Sequence, residues 1–218
     1  MPGRRGFTLI EVMLAAGLAA IIASAALAPL VFTVRSLREA QMRYGAAHSA
    51  PAAAEKIYHD ARGALSNPSF PVFKVIRKSG LSRERDDRLL VWGRMQGPSG
   101  QVTGVAVYRI AGGKTAGTQK QGLYRWLLSD SDSSAPPGGA AYRKGGGSPV
   151  DIDTDLLDEA DATLILHDAT GLRFTVCGKG KKWQEEYEGA LPAALRTELT
   201  VNGKEYSYTG RFPNAAEK

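Results

Sequence analysis

The residue in greatest need of a chemical reason is Glu11. It opens a run of 23 residues, Val12 to Val34, without one formal charge. About 20 mainly apolar residues suffice to cross a bilayer, and a carboxylate at the edge of such a run costs free energy that a function usually repays. Phe7 lies one helical turn earlier, about 6 Å along a helix axis. The remaining chemistry-bearing groups form no catalytic constellation. Asp151-x-Asp153-x-Asp155 begins like an EF-hand, but Leu156 stands at the turn glycine and Ala162 at the bidentate Glu. With Asp158, Glu159 and Asp161 the segment is acidic. An irregular calcium site is the one cofactor reading it admits; the alternative is a solvated loop running into a helix N-terminus. Gly113-Lys114-Thr115 echoes a P-loop, with Tyr108 where its first glycine belongs. His48 and His59 on one straight helix sit about 16 Å apart, too far to share a metal. His167-Asp168 reads as a turn after a strand. Cys177 is the single cysteine, without partners at zinc spacing, and reads as a small core residue. No G-x-S-x-G elbow occurs. The chain is not expected to be an enzyme.

The elements that must carry Glu11 follow from periodicity. Within the apolar run, Ala15/Ala19/Ala23 and Ala16/Ala20/Ser24/Ala28 form rows of small residues, which let helix backbones approach closely in lipid. Pro29 should loosen the helix. Beyond it Leu30, Val34, Leu37, Gln41 and Tyr44 keep helical spacing, and Ala54, Ile57 or Tyr58, Ala61 and Leu65 resume it after Gly45 and Pro51. The spacing predicts one long helix bent near Pro51, or two in tandem, ending at Ser66-Asn67-Pro68. Strands are expected at Val72–Ile76, Leu89–Trp92, Val105–Ile110 and Leu123–Leu127. Residues 129–149 are low in complexity and read as a mobile loop. Leu172, Phe174 and Val176 alternate with Arg173, Thr175 and Cys177 in a half-buried strand. Leu195, Thr197, Leu199 and Val201 lead into Asn202-Gly203, a favoured hairpin turn, with Tyr206 and Tyr208 on the return. The net charge of +6 is a modest excess over 218 residues. It does not call for a nucleic-acid partner. Lys179, Lys181 and Lys182 beside Trp183 read as a hairpin tip, with the indole folded onto the sheet.

Arg4-Arg5-Gly6-Phe7, then Glu11 at the head of the apolar run, resembles the signal of type IV pilin-like proteins. The resemblance implies that a prepilin peptidase cuts after Gly6, that Phe7 becomes the N-methylated terminus, and that Glu11 pairs with a neighbouring subunit's terminal amine during assembly. Further along, Gly171-Leu172-Arg173-Phe174, Trp183, Tyr187, Leu191-Pro192-Ala193-Ala194-Leu195-Arg196 and Arg211-Phe212-Pro213 are similar to the J-component minor pseudopilins of type II secretion. Asp60 and Gly122-Leu123-Tyr124-Arg125 fit the same pattern. Tyr187 departs from it, standing where that family often has a second Trp. Pro51 and the loop at 129–149 also look peculiar to this chain.

The implied architecture is an α+β pilin-like fold, a long N-terminal helix packed on antiparallel β-sheet. Its expected parts are a leader at 1–6, a transmembrane helix at 7–34, a periplasmic stem at 35–66 and a β-rich domain at 67–218. The implied location is the bacterial inner membrane, crossed once, with the domain in the periplasm. The implied partners are prepilin peptidase, the I and K minor pseudopilins and the G major pseudopilin. The same signal serves minor pilins of type IV pili and DNA-uptake machines. Arg4-Arg5-Gly6-Phe7 also looks like a twin-arginine signal, and Ala23-Ser24-Ala25 and Ala26-Leu27-Ala28 each fit secretory cleavage; either would yield a soluble exported protein. Flanking charge does not orient the span, because Arg35, Arg38 and Arg43 follow it.

Overall fold

In a computed structural model, residues 9–65, 71–78, 85–97, 100–112, 120–129, 148–178 and 182–212 are described. The chain divides into two compact units, Met1–Gly45 and Ala46–Lys218. Helix α1 (Leu9–Arg62, 54 residues) is assigned without a break through Pro29, Gly45 and Pro51, in place of two tandem helices. Over residues 12–34 it is uncharged and apolar all round. At about 100° per residue, Val12, Met13, Leu14 and Ile22 point in different directions, and all are exposed. A helix apolar on every side is one that expects to be surrounded. Its hydroxyls are satisfied within the helix: Ser24 donates to the Ala20 carbonyl (2.7 Å) and Thr33 to that of Pro29 (2.8 Å).

The second unit contains two antiparallel sheets where one was expected. Strands β1 (Phe73–Ile76), β2 (Arg88–Gly97), β3 (Gly100–Ala111), β4 (Gly122–Ser129), β5 (Thr163–His167), β6 (Ala169–Cys177), β7 (Trp183–Gln184), β8 (Tyr187–Gly189), β9 (Ala194–Val201) and β10 (Lys204–Arg211) follow α1 in the chain. The first sheet runs β5-β4-β3-β2-β1-β8 and the second β10-β9-β6-β7. The Asn202-Gly203 turn joins β9 to β10 as expected, with φ of 51° and 74°, values that Asn and Gly tolerate best. His167-Asp168 is the expected turn, joining β5 to β6, with Asp168 at φ 57°.

One core joins Ala50, Ala53, Ile57 and Ala61 of α1 to Leu89, Val91 and Tyr108 of the first sheet and Leu172, Phe174, Leu195 and Leu199 of the second. Three of these helix positions are alanines, so the sheets approach the helix backbone closely. The helix stops at Arg62, earlier than the expected Ser66-Asn67-Pro68. The reason is a backbone approach: a Cβ on Gly93 would lie 2.2 Å from the Gly63 carbonyl oxygen. That carbonyl accepts from Arg94 N–H (2.8 Å), and Leu65 N–H donates to the Trp92 carbonyl. Two facing glycines thus turn the chain out of the helix and along β2.

A second, smaller core covers the other face of the first sheet, which is why β2 is buried on both faces at its start. Val150, Ile152 and Leu157 seal Leu90, Val107 and Trp126 there. Buried structure is therefore already present at Val150 and Ile152, before the expected Asp155. Residues 130–147 of the expected mobile loop and Gly113-Lys114-Thr115 lie outside the described residues.

Candidate functional site

Gly6 and Phe7, the expected cleavage and methylation positions, lie outside the described residues. Glu11 lies in the first turn of α1. The exposed apolar side chains Leu9, Ile10 and Met13 surround it in sequence. The rows expected on α1 are helical throughout, and Ala15, Ala16, Ala19 and Ala20 are exposed. Among the described residues no helix is long and apolar enough to cross a membrane. The crossing expected over 7–34 thus rests on the sequence run and enters below as a proposal.

The second unit brings together charges that are remote in sequence. Asp60, in the last turn of α1, is fully buried. Its Oδ2 accepts from the Tyr108 hydroxyl on β3 (2.5 Å) and from Arg125 Nε on β4 (2.7 Å). Lys56 Nζ and His59 Nδ1 stand 3.7 and 3.8 Å from Oδ1. Arg125 also donates to the Gln96 carbonyl (3.2 Å). Burial, and then the negative Asp60, push the Tyr108 phenol well above its ordinary value, so it stays a proton donor. Asp60 and Arg125 were both singled out by family resemblance; Tyr108 was not. Its signal is a tyrosine on the core-facing side of the apolar strand Val105–Ile110, where a buried hydroxyl needs a partner. The cluster pins the helix end to the first sheet. Tyr58 pins it to the second, its hydroxyl lying 2.7 Å from the Leu195 carbonyl and 2.8 Å from that of Tyr208.

The acidic segment at 151–161 is held by cations and hydrogen bonds. Asp155 bonds to Arg88 (2.7 Å) and Lys78 (2.8 Å), and these hold its carboxyl down at about 2. Arg88 also donates to the Thr154 hydroxyl. Asp151 lies 3.6 Å from Lys74, and Asp153 accepts from Asp155 N–H, capping a short 3-10 turn. Arg109 reaches the Thr154 carbonyl and lies 4.8 Å over the Trp126 ring. These acids therefore fasten residues 148–162 over the sheet. Among the described residues no group of three or more His, Cys, Asp or Glu side chains could hold a metal ion. Asp86 and Asp87 face the opposite way energetically. Burial raises both carboxyls, although Asp86 accepts from Ile110 N–H (3.2 Å) and Asp87 from Phe174 N–H (3.0 Å). Cys177, expected in the core, is instead half-buried on the outward face of β6, because Val176 takes the inward position.

Compared with known proteins, the first 27 residues match the model of the prokaryotic N-terminal methylation motif. The match covers Gly6, Phe7, Glu11 and the start of the apolar run. It supports a type IV pilin-like protein, pilin or pseudopilin, with prepilin-type processing and methylation, and suggests a membrane-anchored or exported chain. The observed helix followed by antiparallel sheets is consistent with the α+β pilin-like fold. No curated protein matches the chain significantly.

Proposed function

We propose that this protein is a minor pseudopilin of type II secretion, of the J-component kind, and a non-enzymatic assembly subunit. The observation that carries the reading is the methylation motif fused to a helix with apolar side chains exposed on every side. Such a helix is stable only in lipid or among like helices. In this reading prepilin peptidase cuts after Gly6, Phe7 is methylated, and residues 7–34 stay in the bacterial inner membrane with the β-rich domain in the periplasm. Glu11 pairs with the terminal amine of a neighbouring subunit and sets register along the fibre. The small-residue rows allow the close helix approach that a fibre needs. The J assignment is supported by the short matches from Gly171 to Phe212 and by the pairing of Asp60 with Arg125, two of its motif residues. In that role the subunit joins the I and K components in a complex that initiates and caps the pseudopilus, above the G component.

Intact mass and N-terminal sequencing of the mature protein test the class. N-methyl-Phe7 is expected; a terminus near Ala26 or Pro29 overturns the reading in favour of an exported soluble protein. Co-purification with co-expressed I and K components tests the finer assignment. Association with pilus minor pilins alone overturns it in favour of a type IV pilus or DNA-uptake role.

A further inference from the structure

The outward face of the second sheet carries an arrangement that neither the fold nor the N-terminal signal requires. Cross-strand register places Trp183 beside Cys177, Cys177 beside Ala194, and Ala194 beside Arg211, four strands abreast. Paired residues of antiparallel strands share a face. Half-buried Cys177 and buried Ala194 lie between an indole at one end and a guanidinium at the other. Trp183 is 42% exposed, the one exposed large aromatic among the described residues of the second unit. Arg196, one register row away, lies 4.5 Å over its ring. Stacking leaves the N–H edges of a guanidinium able to grip a carboxylate.

The charges are unmatched. Lys74, Arg77, Lys78, Arg85 and Arg88 are each salt-bridged to an acid. Lys182, Arg196 and Arg211 have no acidic partner within salt-bridge distance among the described residues. β7 is one of the sheet's two outer strands.

We propose that this face, with Trp183 and Arg196 at its centre, is a docking surface for an acidic segment of another protein. An apolar side chain of that segment covers Trp183, and its carboxylates bind Arg196 and Arg211. Exposed Trp and Arg side by side are the residue types that dominate binding energy at protein interfaces, and the unmatched cations select the partner's sign. The surface is independent of Phe7 and Glu11, so it stands or falls apart from the fibre reading.

The test uses the full chain in non-ionic detergent and a fluorescein-labelled Glu-rich peptide with one central Leu, followed by fluorescence anisotropy. Wild type should bind it, more weakly as salt rises. Trp183→Ala and Arg196→Glu should each weaken binding by about tenfold or more, whereas Lys204→Glu at the hairpin tip should leave it unchanged. A Lys-rich counterpart should not bind. Circular dichroism monitors folding; if Trp183→Ala unfolds, the exposed substitutions Lys182→Glu and Arg211→Glu carry the same comparison. Unchanged affinity in the folded variants, equal binding of the Lys-rich peptide, or a response to phosphatidylglycerol micelles without peptide binding overturns the proposal.

Discussion

The two units give the same residue types opposite fates. In the first, Leu, Ile, Val and Met side chains of α1 stay exposed on every side. In the second, Ala50, Ala53, Ile57 and Ala61 of that helix are buried with two sheets. Apolar surface left open over a whole helix is a demand for a partner. Apolar surface buried in one chain is a source of stability. The difference divides one helix: its end is core, and its start, in the function proposed above, serves association. A carboxylate near each end marks the division. Glu11 stands at the exposed start, and Asp60 is buried with its countercharges in the same chain.

If the division is right, substitutions should separate cleanly. The largest expected effect is that of Glu11→Ala, which should abolish incorporation into the fibre complex, read by co-purification, with an unchanged unfolding curve for the β-rich unit. Loss of that unit's fold would break the comparison. Next, Arg125→Ala strands the buried Asp60 carboxylate and should cost about 3–5 kcal/mol in denaturant unfolding. Removing both charges in Asp60→Asn with Arg125→Met should cost less than Arg125→Ala alone. Gly93→Ala forces a Cβ against the Gly63 carbonyl and should cost about 1–3 kcal/mol on the same assay. Tyr58→Phe removes one hydroxyl donor and should cost about 0.5–1.5 kcal/mol. The smallest effect concerns acid. Because Lys78 and Arg88 hold the Asp155 carboxyl at about 2, below its unfolded value, its contribution is present above pH about 4. That contribution is lost as pH falls towards 2. Asp86 and Asp87, raised by burial, pull the other way, since protonation relieves their cost as pH falls. Asp155→Asn should therefore flatten a shallow acid limb measured between pH 4 and 2; an unchanged limb would show that residues 148–162 are held over the sheet by their apolar side chains alone.

The local pattern of residues was legible without the fold. The strands around Leu172 and Leu195 are legible by alternation, because side chains point to opposite faces with period two, and those around Leu89, Val105 and Leu123 as short, mostly apolar runs between turn residues. Their observed ends differ by a few residues. The hairpin at Asn202-Gly203 was legible because its turn needs positive φ at both positions. Less was legible about the helix end, since Pro51 and Ser66-Asn67-Pro68 look like stops, yet the stop comes from Gly63 meeting Gly93. Cys177 was misplaced for a related reason: an alternating strand leaves the facing question to its register. Trp183, expected to fold onto the sheet, pairs with Cys177 and reaches across β6 to stack with Arg196 of β9, while remaining 42% exposed.

By itself the sequence determined the elements and the signal: Gly6, Phe7 and Glu11 ahead of an uncharged run, and helix or strand wherever a period of 3.6 or two persists. These are local properties, decided over a few residues. Only the tertiary structure decided that the strands form two sheets, that Asp60 meets Tyr108 and Arg125 across 48 and 65 residues, and that the acids at 151–155 meet cations on the sheet. Burial makes the difference. A charge within a segment has no stated partner until packing removes water and leaves only particular neighbours to satisfy it.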